Sequence, residues 1–230
     1  MNICALCAAE FEAQMEKHSC QLNMRGPYLV RKWEYGMYFG PEQNNMCAVF
    51  CDSIWNMRLF CAVLFDDEVL RQLISAREML REHAFRGSFT PDENLHLTLE
   101  FLGECDAGKA GLIRQAMDEI CFSPFVLSFR SLGFFRRDDG DIWFARADEC
   151  SALIRLQSEL HNALLERGFR LERRKYRPHV TLARRAVLDE QTLPSPAFSA
   201  EVTSFSLMLS EQKQGRMVYT PLYTVCSRDL

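Results

Sequence analysis

The sequence predicts an α+β fold with mixed or antiparallel sheets, arranged as two similar lobes that face each other. Three observations carry this expectation. Helical and strand patterns alternate along the chain, yet several strands are joined as hairpins, which disfavours a doubly wound parallel sheet. The pattern His-apolar-Thr-apolar occurs twice, at His96-Leu97-Thr98-Leu99 and His179-Val180-Thr181-Leu182, 83 residues apart and each time after a strand–helix unit. Apolar residues make up 48% and charged residues 25% of the 230 positions, an ordinary globular composition that excludes a disordered or fibrous chain.

Residues 1–56 stand apart from the rest. They carry Gly26-Pro27 and Gly40-Pro41, aromatic residues at Trp33, Tyr35, Tyr38 and Phe39, and five of the ten cysteines, without sustained periodicity. Cys4-x2-Cys7, His18-x-Cys20 and Cys47-x3-Cys51 invite a zinc reading, but the pairs are not spaced as a recognised finger. The preferred reading is a cysteine-containing extension of uncertain order, upstream of a single domain spanning 57–230.

From Met57 the pattern is regular. Residues 58–65 are an apolar run of strand length, and Asp66 or Asp67 can cap the following helix, whose apolar stripe is Val69, Leu70, Leu73, Ile74 and Leu80. After the Pro91 loop, residues 95–102 read as a strand closed by Gly103, and 107–120 as a second helix. Residues 125–135 and 142–147 read as a hairpin joined by Arg137-Asp138-Asp139-Gly140. A long helix over 149–167 carries Leu153, Ile154, Leu156, Leu160, Leu164 and Leu165 on one stripe and ends at Gly168. A short strand at 179–183 and strands near 200–210 and 216–226 complete the chain.

Charge is unevenly placed. The net charge is −4, but residues 167–185 hold eight basic residues against one acid, so that stretch is +7 on a body of −11. Such a chain is poorly suited to coating nucleic acid, which needs many cations against phosphates, and better suited to holding one local anion. No signal peptide or membrane-length apolar run is legible, so the expected compartment is the cytoplasm, with reduced thiols and no membrane partner.

In a strand, alternate side chains share a face, so His96 with Thr98, and His179 with Thr181, each present an imidazole beside a hydroxyl while the intervening apolar residues anchor a core. A single His-x-Thr is ordinarily a cross-strand polar pair; two copies in matching settings point to chemistry. One neutral and one charged imidazole can serve as base and acid, hydroxyls can donate to phosphate oxygens, and a nearby arginine can offset the charge. A phosphodiester fits, above all a strained cyclic phosphate, and no metal or cofactor is required. A metal site would need a third ligand, for which only Glu100 is expected to share the face of His96. His18, His83 and His161 are expected at the surface. No nucleophile elbow, phosphate-binding glycine loop or dinucleotide fingerprint is present.

At His96-Leu-Thr98-Leu-Glu-Phe-Leu-Gly103 and Tyr176-Arg177-Pro178-His179-Val-Thr181-Leu-Ala-Arg184, after a Met-Arg-Leu-Phe opening strand, residues 57–230 resemble the 2H phosphoesterase superfamily. Within it they are closely similar to the RNA 2′,3′-cyclic phosphodiesterase branch, the LigT or 2′-5′ RNA ligase family. The resemblance implies a bilobal fold with helices outside and the site in a cleft between pseudo-symmetric lobes. It implies hydrolysis of an RNA 2′,3′-cyclic phosphate end to a 2′-phosphomonoester, with 2′-5′ joining as the chemical reverse. It assigns His96 as proton donor, His179 as proton acceptor, and Thr98 and Thr181 as holders of the phosphate oxygens. Arg184 matches a family arginine but, five residues past His179, falls on the opposite face of a regular strand unless the strand bends near Ala183. Tyr176 and Arg177 are expected near the base or ribose, or else in packing and at a solvated rim. A monomer acting on RNA ends or cyclic nucleotides is expected; the competing reading is a nucleotide-binding module of the same fold without turnover.

Overall fold

The computed structural model describes residues 56–189 and 195–228, together with two short strands upstream. The chain divides into two compact units, Met1–Ile54 and Trp55–Leu230. In the first, strands β1 (Leu22–Met24) and β2 (Leu29–Arg31) pair antiparallel. The cysteine pairs that invite a zinc reading lie outside the described residues.

The second unit runs β3 (Met57–Val63), α1 (Asp67–Glu82), β4 (Ala84–Phe89), a 3-10 turn (Asp92–Asn94), β5 (Leu97–Cys105) and α2 (Ala107–Asp118). It continues with β6 (Phe125–Phe135), β7 (Asp141–Ala147), α3 (Ser151–Glu166), β8 (His179–Leu188), β9 (Phe198–Val202), β10 (Ser204–Lys213) and β11 (Arg216–Cys226). Asp66 caps α1 by accepting from Val69 N at 2.8 Å, and Asp106 caps α2 by accepting from Lys109 N at 2.8 Å. Gly168, at φ +81°, ends α3 as expected.

Among the described residues nine strands form one sheet, ordered β11-β10-β3-β5-β8-β7-β6-β9, with β4 paired to β8 as well. Every pairing in it is antiparallel. The sheet consists of two halves joined by little: β5 and β8 share one residue pair, Leu97↔Val180. Each half sends a helix across the seam. α1 follows β3 yet packs on β4, β8 and β9, whereas α3 follows β7 and packs on β5 as well as β6. Behind the seam lies the main core, in which Leu97, Val180, Leu182, Leu73, Leu156 and Leu160 are fully buried. Phe60, Ala62 and Met208 form a smaller buried cluster of their own, with Tyr219 against it.

Three expectations change. β4 has no counterpart in the sequence reading, because Ala84–Phe89 shows no apolar alternation and is mostly exposed at the sheet margin. The strand expected near 200–210 is two strands interrupted at Thr203: β9 pairs with β6 in one half, and β10 pairs with β3 in the other. β5 does not stop at Gly103 but passes through it at φ +71° to Cys105, a backbone setting that favours glycine.

Candidate active site

The antiparallel register about Leu97↔Val180 sets His96 opposite Thr181 and Thr98 opposite His179. Leu97 and Val180 are both buried in the core, so by strand alternation the four polar side chains share the other face. Both copies of the motif thus meet in one two-by-two array, which neither strand could form alone.

Each imidazole is held the same way. His96 Nδ1 donates to the carbonyl of Asn94 at 2.8 Å, and His179 Nδ1 to the carbonyl of Arg177 at 2.6 Å, in both cases two residues back. That bond places the proton on Nδ1 of the neutral ring and leaves Nε2 for chemistry. His96 Nε2 lies 3.1 Å from Thr98 Oγ1. Each ring is also walled by aromatics from its own half. Phe60 and Tyr219 lie 4.9 and 5.2 Å from His96, and Phe135 and Phe144 lie 5.3 and 5.0 Å from His179.

Burial pushes the His96 imidazole below its ordinary value; the Asn94 carbonyl opposes this, and the charges of Arg184 and His179 press it down further. His179 is likewise pushed down by burial, opposed by the Arg177 carbonyl, and lowered again by Arg184. Arg184 therefore acts on both rings, and the bend it needs is present. Around Ala183 the β7–β8 register slips twice, Leu182 and Ala183 are consecutively buried, and Arg185 sits at φ +50°. This irregularity resets the alternation beyond Thr181.

Two neighbours stand elsewhere than strand parity suggests. Glu100 does not share the face of His96: β5 bulges at Leu99, so Ala62 opposes Thr98 while Cys61 opposes Glu100. The buried Glu100 carboxylate turns to α3, accepting from His161 Nδ1 at 2.8 Å and Gln157 Nε2 at 3.2 Å. The same contact corrects the surface reading of His161, which is half-buried. His83 is half-buried too, its Nδ1 2.8 Å from the Met79 carbonyl. Among the described residues no cluster of His, Cys, Asp and Glu could hold a metal ion.

Tyr176 packs on the main core and donates its hydroxyl to the Thr98 carbonyl at 3.0 Å, which ties the loop before β8 to β5; burial, then the Glu100 charge, raises its pKa. The structure thus gives Tyr176 the packing alternative. Arg177 is exposed and contributes its carbonyl to His179. Sequence reasoning missed Asn94, whose side chain is buried and donates to the Met217 carbonyl at 2.8 Å, linking the His96 turn to β11. From the other side, Arg77 donates to the Thr90 carbonyl at 2.6 Å and to Asp92 at 2.5 Å, pinning the same turn.

Comparison with known proteins decides the family. The model of the 2′-5′ RNA ligase superfamily matches residues 65–214. The chain belongs to this superfamily. A relative from Escherichia coli, named RNA 2′,3′-cyclic phosphodiesterase, is 32% identical over 174 residues, covering 72% of this chain and 93% of its own. One of the same name from Thermus thermophilus is 35% identical over 181 residues, covering 72% and 88%. The crystal structure of E. coli LigT complexed with 3′-AMP superposes with a TM-score of 0.66 at 31% identity, covering 76% of this chain and 99% of LigT. The α+β, two-lobed fold class of the 2H phosphoesterases is thereby borne out. Among the described residues of this superfamily member no helix is long and apolar enough to cross a membrane.

Proposed function

We propose that the protein hydrolyses RNA 2′,3′-cyclic phosphate ends to 2′-phosphomonoesters by acid–base catalysis between His96 and His179, acting in the cytoplasm as a monomer. The observation that carries this reading is the array itself: two imidazoles, both held through Nδ1, with a threonine opposite each and one arginine acting on both. With the cyclic phosphate between the rings, His179 Nε2 takes a proton from water as the water oxygen bonds to phosphorus. The bond from phosphorus to O3′ breaks, and protonated His96 gives its Nε2 proton to O3′. Thr98 and Thr181 donate to the non-bridging oxygens, and Arg184 offsets their growing charge. Thr98 Oγ1, 3.1 Å from His96 Nε2, lies beside the ring that gives the proton, which keeps the phosphate oxygen it holds next to that ring. The 5′-hydroxyl of a second RNA in place of water gives a 2′-5′ linkage with the same proton transfers.

The test is incubation with a 2′,3′-cyclic mononucleotide in the presence of a chelator, with the product separated as 2′- or 3′-monophosphate. The expected product is the 2′-monophosphate alone. Turnover needs one ring protonated and one neutral, and both are held below the ordinary histidine value of about 6.5, so kcat/KM should be bell-shaped with its maximum on the acidic side of that value. Binding without turnover at high enzyme concentration would overturn the reading in favour of a nucleotide-binding module.

A further inference from the structure

The rows of the sheet continue past the two motifs. In the β7–β8 ladder Phe144 opposes Thr181, Ala145 opposes Val180, and Arg146 opposes His179. In the β6–β7 ladder Gly133 opposes Phe144 and Ser131 opposes Arg146. Ala145 and Val180 are fully buried on the core side, so Arg146 and Phe144 stand on the face of the histidines. One row therefore reads Thr98, His179, Arg146, Ser131 across four strands.

The site face around Gly133 is shaped for this arginine. A Cβ on Gly133 would lie 2.5 Å from Phe144 Cε2 and 3.2 Å from an Arg146 guanidinium nitrogen. The missing side chain thus leaves room for the ring that walls His179 and for the guanidinium beside it. The neighbouring arginines have partners: Arg130 pairs with Asp148, Arg185 with Asp139, and Arg136 lies over the Phe134 ring. Arg146 is exposed and, among the described residues, has no carboxylate or ring partner. Arg146 stands next to His179 in the ladder, strands being about 4.8 Å apart, and its guanidinium reaches over Gly133 on β6, so this unneutralised cation is placed for a second anion further along the site face.

Resting on the hydrolytic reading above, we infer that Arg146 binds the phosphodiester immediately 5′ of the terminal nucleotide, so that the substrate is an RNA strand end rather than a free cyclic mononucleotide. A chain ending in a 2′,3′-cyclic phosphate has its next charge only on that side, one nucleotide upstream. Arg146 takes no part in the proton transfers; it sets which substrates are held. Ser131, half-buried and next in the row, lies where its hydroxyl can reach the same phosphate.

The test compares 2′,3′-cyclic AMP with a dinucleotide ending in a 2′,3′-cyclic phosphate, using the wild type, Arg146→Ala and Arg146→Lys. In the wild type the dinucleotide should have the higher kcat/KM, and a neutral methylphosphonate at its internal linkage should abolish that advantage. Arg146→Ala should lower the dinucleotide-to-mononucleotide ratio of kcat/KM about tenfold, chiefly through KM, with Lys recovering part of it. The slope of log kcat/KM against log salt for the dinucleotide should become shallower by about 0.7, as for one phosphate contact on a single strand. An unchanged ratio in Arg146→Ala, or a wild type indifferent to the methylphosphonate, would overturn the inference. If the wild type turns over neither substrate, the hydrolytic reading fails by itself. Calorimetric binding of a dinucleotide ending in a 2′-phosphate, against adenosine 2′-monophosphate, then decides the role of Arg146: an unchanged affinity ratio in Arg146→Ala rejects it.

Discussion

The His96 half and the His179 half carry the same motif in different settings. His96 is enclosed: its ring forms a triangle with Phe60 and Tyr219, its Nε2 is already bonded to Thr98, and the turn before it is fastened by Asn94 to β11 and by Arg77 to α1. His179 has aromatic walls as well, but Arg146 stands opposite it in the ladder, whereas the charge of Arg184 reaches both rings. Repetition of a motif thus supplies the paired rings, while the two halves give them unlike surroundings. On the proposed mechanism, the burial that holds His96 below its ordinary pKa makes it the stronger acid once protonated.

The most forceful way to break the comparison is to remove each ring. His96→Ala and His179→Ala should each lower kcat by about 10²–10⁴-fold. Circular-dichroism melting should shift by only a few degrees, because both rings are half-buried on the site face rather than in the core. Next come the hydroxyls. Thr98→Val should cost more kcat than Thr181→Val, about tenfold to a hundredfold against about tenfold, because only Thr98 bonds its own histidine. Steady-state kinetics on the two variants decide whether that asymmetry is functional.

Gly133→Ala sharpens the comparison from the His179 side. The added methyl meets the Phe144 ring, which must shift; urea denaturation should show a loss of about 1–3 kcal/mol, with a lower kcat and no matching effect at the His96 walls. The smallest expected effect is that of Arg184→Gln on the pH profile. Its charge lowers both imidazoles, so its removal should raise both pKa values and move the whole kcat/KM bell to higher pH. A shift of one limb only would mean that Arg184 serves one half.

Much of this was legible in the chain. His96, Thr98, His179 and Thr181 could be placed on one side of their strands by period-two alternation alone, and Asp66 and Gly168 marked helix ends. What escaped depends on irregularity and on register. Alternation assumes an unbroken strand, so the bulge at Leu99 hid the turning of Glu100 toward α3, and the slip around Ala183 hid how Arg184 regains the site face. Arg146 and Phe144 become neighbours of the motif only through β7–β8 pairing across some thirty-five residues of chain, and no local signal encodes that partnership. The Asn94 and Arg177 carbonyls escaped because backbone groups carry no residue signature.

The single pair joining β5 to β8 has a further consequence. Because Leu97↔Val180 is, among the described residues, the one ladder pair between the half-sheets, the gap between His96 and His179 depends on the angle at which those halves diverge. Behind the seam, the side chains packed between the helices and Leu97 and Val180 brace that angle by their volume. Substitutions in this hidden layer can therefore widen or narrow the mouth for different RNA ends while every residue that touches phosphate stays the same.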